Sequence, residues 1–140
     1  MSTAGSPRAI GKNGALGGAT ARTTTTVHDF LTVVGRTLRR AMTRSAGLVL
    51  AAYDAAGTDP ALAELAEQLS AQRATTVAWI IDGIRDRASL RRGVTRSHAI
   101  DQAWLLIDPA VYQRLTRYRG WSPARYEKWF TDTITRLLLD

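Results

Sequence analysis

The residues best suited to chemistry in this sequence are two histidines, His28 and His98, and the acids Asp82, Asp86 and Asp101. Two imidazoles can share a metal ion when they lie on one helix face, which needs an HxxxH or HxxE spacing. Neither histidine has such a partner, and both sit where helices are expected to begin, so each reads as a cap or surface residue. The three acids could meet in space, but basic neighbours offer simpler partners: Arg85 for Asp82, and Arg96 or Arg114 for Asp101. No Gly-x-Ser-x-Gly elbow is present. Gly5 to Asn13 looks like a phosphate loop only at first sight. Five residues separate Gly5 from Gly11-Lys12, Asn13 stands where Ser or Thr is required, and no strand precedes it. The sequence contains no cysteine, which excludes disulfides and thiolate chemistry. These residues predict a protein that is not an enzyme and needs no metal or cofactor.

The aromatic residues say more. Trp79 falls on the far side of its helix from an isoleucine stripe, so it must pack on a neighbouring helix, line a cavity or lie on the surface. Trp104, Tyr53, Phe30 and Met42 sit on apolar faces and could share a cavity with it; for each, ordinary core is the alternative. A second group crowds the C-terminal end: Tyr112, Leu115, Tyr118, Trp121, Tyr126, Trp129, Phe130, Ile134 and Leu137. Aromatic-rich, lysine-poor faces are typical of helical interfaces. Two copies of a two-helix unit would bury this one as a four-helix bundle about a twofold axis.

The elements that must position these groups are helices throughout. Val27, Phe30, Leu31, Val34, Leu38, Ala41 and Met42 repeat at helical spacing, with Arg36, Arg40 and Arg44 on the opposite face. Ser45 is expected to cap a second helix through Leu48, Val49, Leu50 and Tyr53, ending near Gly57. Asp59-Pro60 starts a long helix to about Ala88, with Leu62, Ala66, Leu69, Val77, Ile80, Ile81 and Ile84 on one face. Arg91-Arg92-Gly93 reads as a loop. Thr95 or Ser97 opens the next helix, whose inner face is Ile100, Ala103, Trp104 and Ile107. Asp108-Pro109 repeats the cap-and-proline signal and is expected to kink a continuing helix rather than start a separate one. Gly120 stops it, and Ser122-Pro123 starts the last helix. The predicted fold class is all-α.

Ahead of this domain (27–140), residues 1–26 are rich in Gly, Ala, Ser and Thr and almost lack large apolar side chains, which predicts a disordered tail. The tail has no apolar region of a secretory signal, and nowhere does an apolar run reach membrane-spanning length. A cytoplasmic protein is expected. The net charge of +7 is arginine-dominated, and three of the basic residues, Arg8, Lys12 and Arg22, lie in the tail with no acid. The remaining surplus is what an arginine-rich helical surface carries.

The stretch from Ala99 to Tyr112, Arg119-Gly120-Trp121-Ser122-Pro123 and Tyr126-Glu127-Lys128-Trp129 resemble the C-terminal end of the tetracycline-repressor (TetR/AcrR) family of transcriptional regulators. The family shows a mid-helix proline step, a Gly-Trp-Ser-Pro corner and a Tyr-x-x-Trp helix there. The resemblance implies a homodimerising domain, with the last two helices pairing across a twofold axis. It also implies a pocket for a small apolar or amphipathic effector among the earlier helices, with Phe30, Met42, Tyr53, Trp79 and Trp104 as candidate lining. Family members carry a helix-turn-helix head that reads the major groove. No such helix pair fits before Val27, so contact with DNA is expected only through a missing or partner-borne head. The alternative is a stand-alone helical interaction module whose basic tail touches nucleic acid nonspecifically.

Overall fold

A computed structural model describes residues 26–140; of the tail expected over residues 1–26, all but Thr26, which caps the first helix, lies outside them. Five α-helices follow in order: α1 (Val27–Ala55), α2 (Pro60–Arg85), α3 (Arg96–Leu106), α4 (Pro109–Gln113) and α5 (Pro123–Leu138). A π-helical turn, Arg114–Tyr118, continues α4. No strand occurs among the described residues. The fold is all-α, and no helix is long and apolar enough to cross a membrane.

Helix starts follow the polar signals in the sequence. The Thr26 hydroxyl accepts from the Asp29 amide at 3.0 Å, and Asp59 accepts from Ala61, with Pro60 needing no acceptor. Thr95, the earlier of the two expected residues, caps α3 by accepting from His98 N–H. Each cap satisfies an amide that the helix itself leaves unpaired.

Two boundaries differ from expectation. No break occurs at Ser45, where α1 runs unbroken for 29 residues. The Ser45 hydroxyl donates back to the Ala41 carbonyl at 2.7 Å, a bond that satisfies serine inside a helix and removes its reason to cap. Ala46 is buried and extends the stripe from Met42 by one more step of four. At the other boundary, Pro109 does not kink a continuing helix. α3 ends at Leu106, and Asp108 caps a new helix by accepting from Ala110 N–H at 2.8 Å. α2 stops at Arg85, slightly short of Ala88.

Helix α1 is the spine. It packs against α2, α4 and α5, while α3 packs against α2 and α5. The enclosed core lies at one end of the α1–α2 pair. Val34, Val77, Ile80, Ile81, Phe130 and Ile134 are all wholly buried there. Leu62, Ala66 and Leu69, on the same expected stripe as the isoleucines, are only half-buried. The chain therefore has a densely packed base and, beyond it, an arm formed by the C-terminal half of α1 and the N-terminal half of α2.

Close approach in the base depends on Gly83. A β-carbon there would lie 2.8 Å from Phe30 Cε1 and 2.9 Å from Cε2, inside van der Waals contact. Gly120, with φ +71°, takes the left-handed turn that ends the α4 segment. Arg91 ties down the end of α5: its amide donates to the Leu138 carbonyl at 2.6 Å and its Nη2 to the Leu139 carbonyl at 2.9 Å. The two carbonyls belong to the unpaired set at a helix C-terminus, where a cation is also favoured by the helix dipole.

Candidate functional site

The five aromatic and methionine residues expected to line one cavity divide into separate places. Phe30 is buried in the base, with the Trp79 ring 5.5 Å from its own, centroid to centroid. Arg87 lies over the Phe30 ring at 4.4 Å. With Gly83 against it as well, Phe30 has no free face for a ligand. Trp79 takes the first of its three expected roles and packs on the neighbouring helix.

Met42 and Tyr53 do share a groove. It encloses about 220 Å³ where the arm meets the base, between α1 and α2. Met42, Val49 and Tyr53 line it from α1, Leu69 and Arg73 from α2, and Ile107 and Pro109 close its end at the α3–α4 junction. Helical spacing explains this arrangement: Met42, Val49 and Tyr53 fall at steps of seven and four along one face of α1, while Leu69 and Arg73 are one step of four apart on α2.

Trp104 is not part of the groove wall but supports it. The guanidinium of Arg73 sits 4.0 Å from the Trp104 ring centroid, a cation–π contact. Arg73 Nη1 lies 3.3 Å from Asp108 Oδ1. Its side chain is 14% exposed, and both Nε and Nη1 are enclosed without a hydrogen bond. Sequence reasoning passed over Arg73. The signal was present: Leu69, Arg73 and Val77 are spaced by four, so Arg73 interrupts the apolar stripe of α2 with a charge.

The residues expected at a dimer interface also divide. Tyr126, Phe130 and Ile134 are wholly buried in the protomer's own core, and Tyr112 nearly so. The Tyr126 hydroxyl donates to the Leu106 carbonyl at 2.7 Å, and burial pushes its phenol well above the usual tyrosine range. Its ring meets Tyr112 edge-on at 4.9 Å, and the Tyr112 hydroxyl hydrogen-bonds the Thr43 hydroxyl at 2.8 Å. These four side chains hold the terminal hairpin onto α1 and α3 and present nothing to a partner. The cause is that α5 has a single apolar face; Arg125, Lys128, Asp132 and Arg136 occupy the other, where Lys128 and Asp132 pair at 2.7 Å.

Leu115, Trp121, Trp129 and Leu137 remain partly exposed. Trp121 and Trp129 meet edge-on at 5.9 Å, and Arg125 covers the Trp121 ring at 4.2 Å. Leu115 is linked to the corner through its carbonyl, which accepts from Trp121 N–H at 3.0 Å. Leu115, Trp121 and Trp129 form a narrow apolar seam at the hairpin corner, and Leu137 lies two turns further along α5.

The polar candidates form no catalytic cluster among the described residues. His28 and His98 are exposed in the first turns of α1 and α3. Asp82 receives Arg96 through two contacts, 2.7 and 2.9 Å, and Arg85 at 3.4 Å, so Arg96 goes to Asp82 rather than to Asp101. Hydrogen bonding from Arg96 is the main reason its carboxyl is held below the usual aspartate range; partial burial opposes this and Arg85 adds to it. No group of three potential metal ligands occurs among the described residues.

Comparison of the chain with family models, curated proteins and solved structures returned no match.

Proposed function

We propose that residues 27–140 form a TetR-like regulatory domain that binds a small effector and pairs with a second copy of itself. One observation carries the reading: among the described residues, the groove between α1 and α2 is lined mainly by apolar side chains with one charge, Arg73, the mixture that small-molecule sites use. Its position matters as well. A ligand there would touch the packed base and the more loosely covered arm together, and so could bias how they are set relative to each other. Self-association would use the partly exposed Leu115, Trp121, Trp129 and Leu137, a smaller surface than a full helical face. Any influence on DNA would pass through a head outside residues 27–140 or one borne by a partner.

The test is thermal unfolding in the presence of a panel of small apolar and amphipathic compounds. A true ligand at about 100 times its Kd stabilises by about 2.7 kcal/mol. Ala41→Phe, which fills the groove from α1, should abolish the shift without lowering the melting temperature of the free protein greatly. A panel without a single stabilising compound, or shifts that persist in Ala41→Phe, would remove the effector reading. Sedimentation equilibrium of Trp129→Glu against the parent chain tests the pairing, which should weaken at least tenfold.

A further inference from the structure

We propose that the ligand of this groove is a small aromatic carboxylate, with its anionic group paired to Arg73. This rests on the effector reading and narrows it to one chemical class. Among the described residues, Arg73 is the only charged one lining the groove, and no acid lines it. Arg73 Nε and Nη1 are covered by protein and make no hydrogen bond, so the fold does not fully meet the guanidinium charge, and a ligand in the groove would meet it on the 14% of the side chain that stays accessible. Trp104 at 4.0 Å holds the guanidinium plane but accepts no hydrogen bond in the ring plane. Asp108 answers the charge only in part. Its Oδ1 is already occupied as the cap of α4, at 2.8 Å from Ala110 N, and faces Nη1 from 3.3 Å without the alignment of a hydrogen bond. A carboxylate carries the opposite charge and accepts from a guanidinium, which no neutral polar group matches.

Size and lining define the rest of the molecule. A cavity of about 150 Å³ holds a benzene ring, and drug-sized pockets begin near about 300 Å³. The groove, about 220 Å³, lies between, which fits one ring with a short acidic arm. Met42 and Tyr53 supply a thioether and an aromatic ring on the α1 wall, both favourable neighbours for such a ring.

The experiment compares three probes of one skeleton by isothermal titration: 3-phenylpropionate, 3-phenylpropanol and 3-phenylpropylamine. The acid should bind the parent chain at least tenfold tighter than the alcohol, and the amine weakest. Arg73→Met should remove the preference for the acid and leave the alcohol within about twofold, with the alcohol also reporting that the groove remains formed. Asp108→Asn keeps a residue competent to cap α4 and frees Arg73 of its competing anion. It should therefore tighten the acid about threefold or more and leave the alcohol unchanged, an outcome that a merely structural ion pair does not produce. If the alcohol binds as well as the acid, or the amine binds best, the anion inference is wrong while the groove reading stands. If none of the three binds, the failure reaches the groove reading itself. Should Arg73→Met fail to fold, Asp108→Asn decides alone: an unchanged or weakened acid overturns the proposal.

Discussion

At the base of the α1–α2 pair, Val34, Val77, Ile80 and Ile81 are wholly enclosed, whereas in the arm Val49, Tyr53, Leu62 and Leu69 are only partly covered. The same two helices supply both regions, so the difference does not come from helix formation. It comes from what the other helices cover. α3 and α4 bring Ala99, Ala103 and Tyr112 into the core, and α5 brings Tyr126, Phe130 and Leu138. The arm receives less cover: Tyr112 of α4 reaches Thr43 at its root, and Leu48 beyond is 71% exposed. A base built this way resists local opening, and an arm built this way opens more readily. The groove lies at the boundary, where one wall is fixed and the other can respond.

The largest way to break that contrast is to empty the base. Phe130→Ala should lower stability by about 3–5 kcal/mol, read by urea unfolding. The matched change in the arm, Leu62→Ala, should cost about 1 kcal/mol or less because the side chain is already half in water. Equal losses would mean that base and arm are one cooperative body. Next comes overfilling. Gly83→Ala places a methyl group against Phe30 and should destabilise by about 1–3 kcal/mol, against a gain in helix propensity of up to about 1 kcal/mol. A more stable Gly83→Ala would show that Phe30 can step aside.

Smaller again is Tyr126→Phe, which leaves the buried Leu106 carbonyl without its donor and should cost about 1–3 kcal/mol, without altering the arm. The smallest effect is electrostatic. Asp82 titrates lower in the folded chain than in the unfolded one, so its contribution is full above the ordinary aspartate value of about 3.9 and is lost as pH falls through the folded value. Asp82→Asn should remove that acid-side component and cost under about 1 kcal/mol at neutral pH, because the pair is exposed and screened. A pH profile of stability unchanged by Asp82→Asn would contradict the pairing with Arg96.

Much of the fold is legible in the sequence because helix ends are local. Asp59-Pro60 and Ser122-Pro123 each announce a start through groups within three residues, and Gly120 announces a stop through a backbone angle. Asp108-Pro109 carries the same signal, yet the apolar stripe running on through Val111, Tyr112 and Leu115 reads as one continuing helix where the structure starts a new one. Ser45 misleads for an equally local reason: serine can satisfy itself on Ala41 inside the helix, and nothing in its neighbours selects one bond over the other. The site is less legible. The spacing of Tyr126, Phe130 and Ile134 says that they face something apolar, but an apolar stripe is identical whether α1 or a second protomer covers it. Phe30 and Met42 share one face of α1, yet sit at different heights along it, in the base and in the groove. Arg73 shows as a charge within a stripe, but its value depends on Trp104 and Asp108, which are far along the chain.

Hydrogen exchange of the chain saturated with 3-phenylpropionate tests the groove between base and arm most directly. Slowed exchange is expected over residues 45–55 and 62–76, with residues 126–138 unchanged because the base is already closed. Exchange that is unaltered in the arm, or slowed chiefly in the last helix, would contradict a ligand site at that boundary.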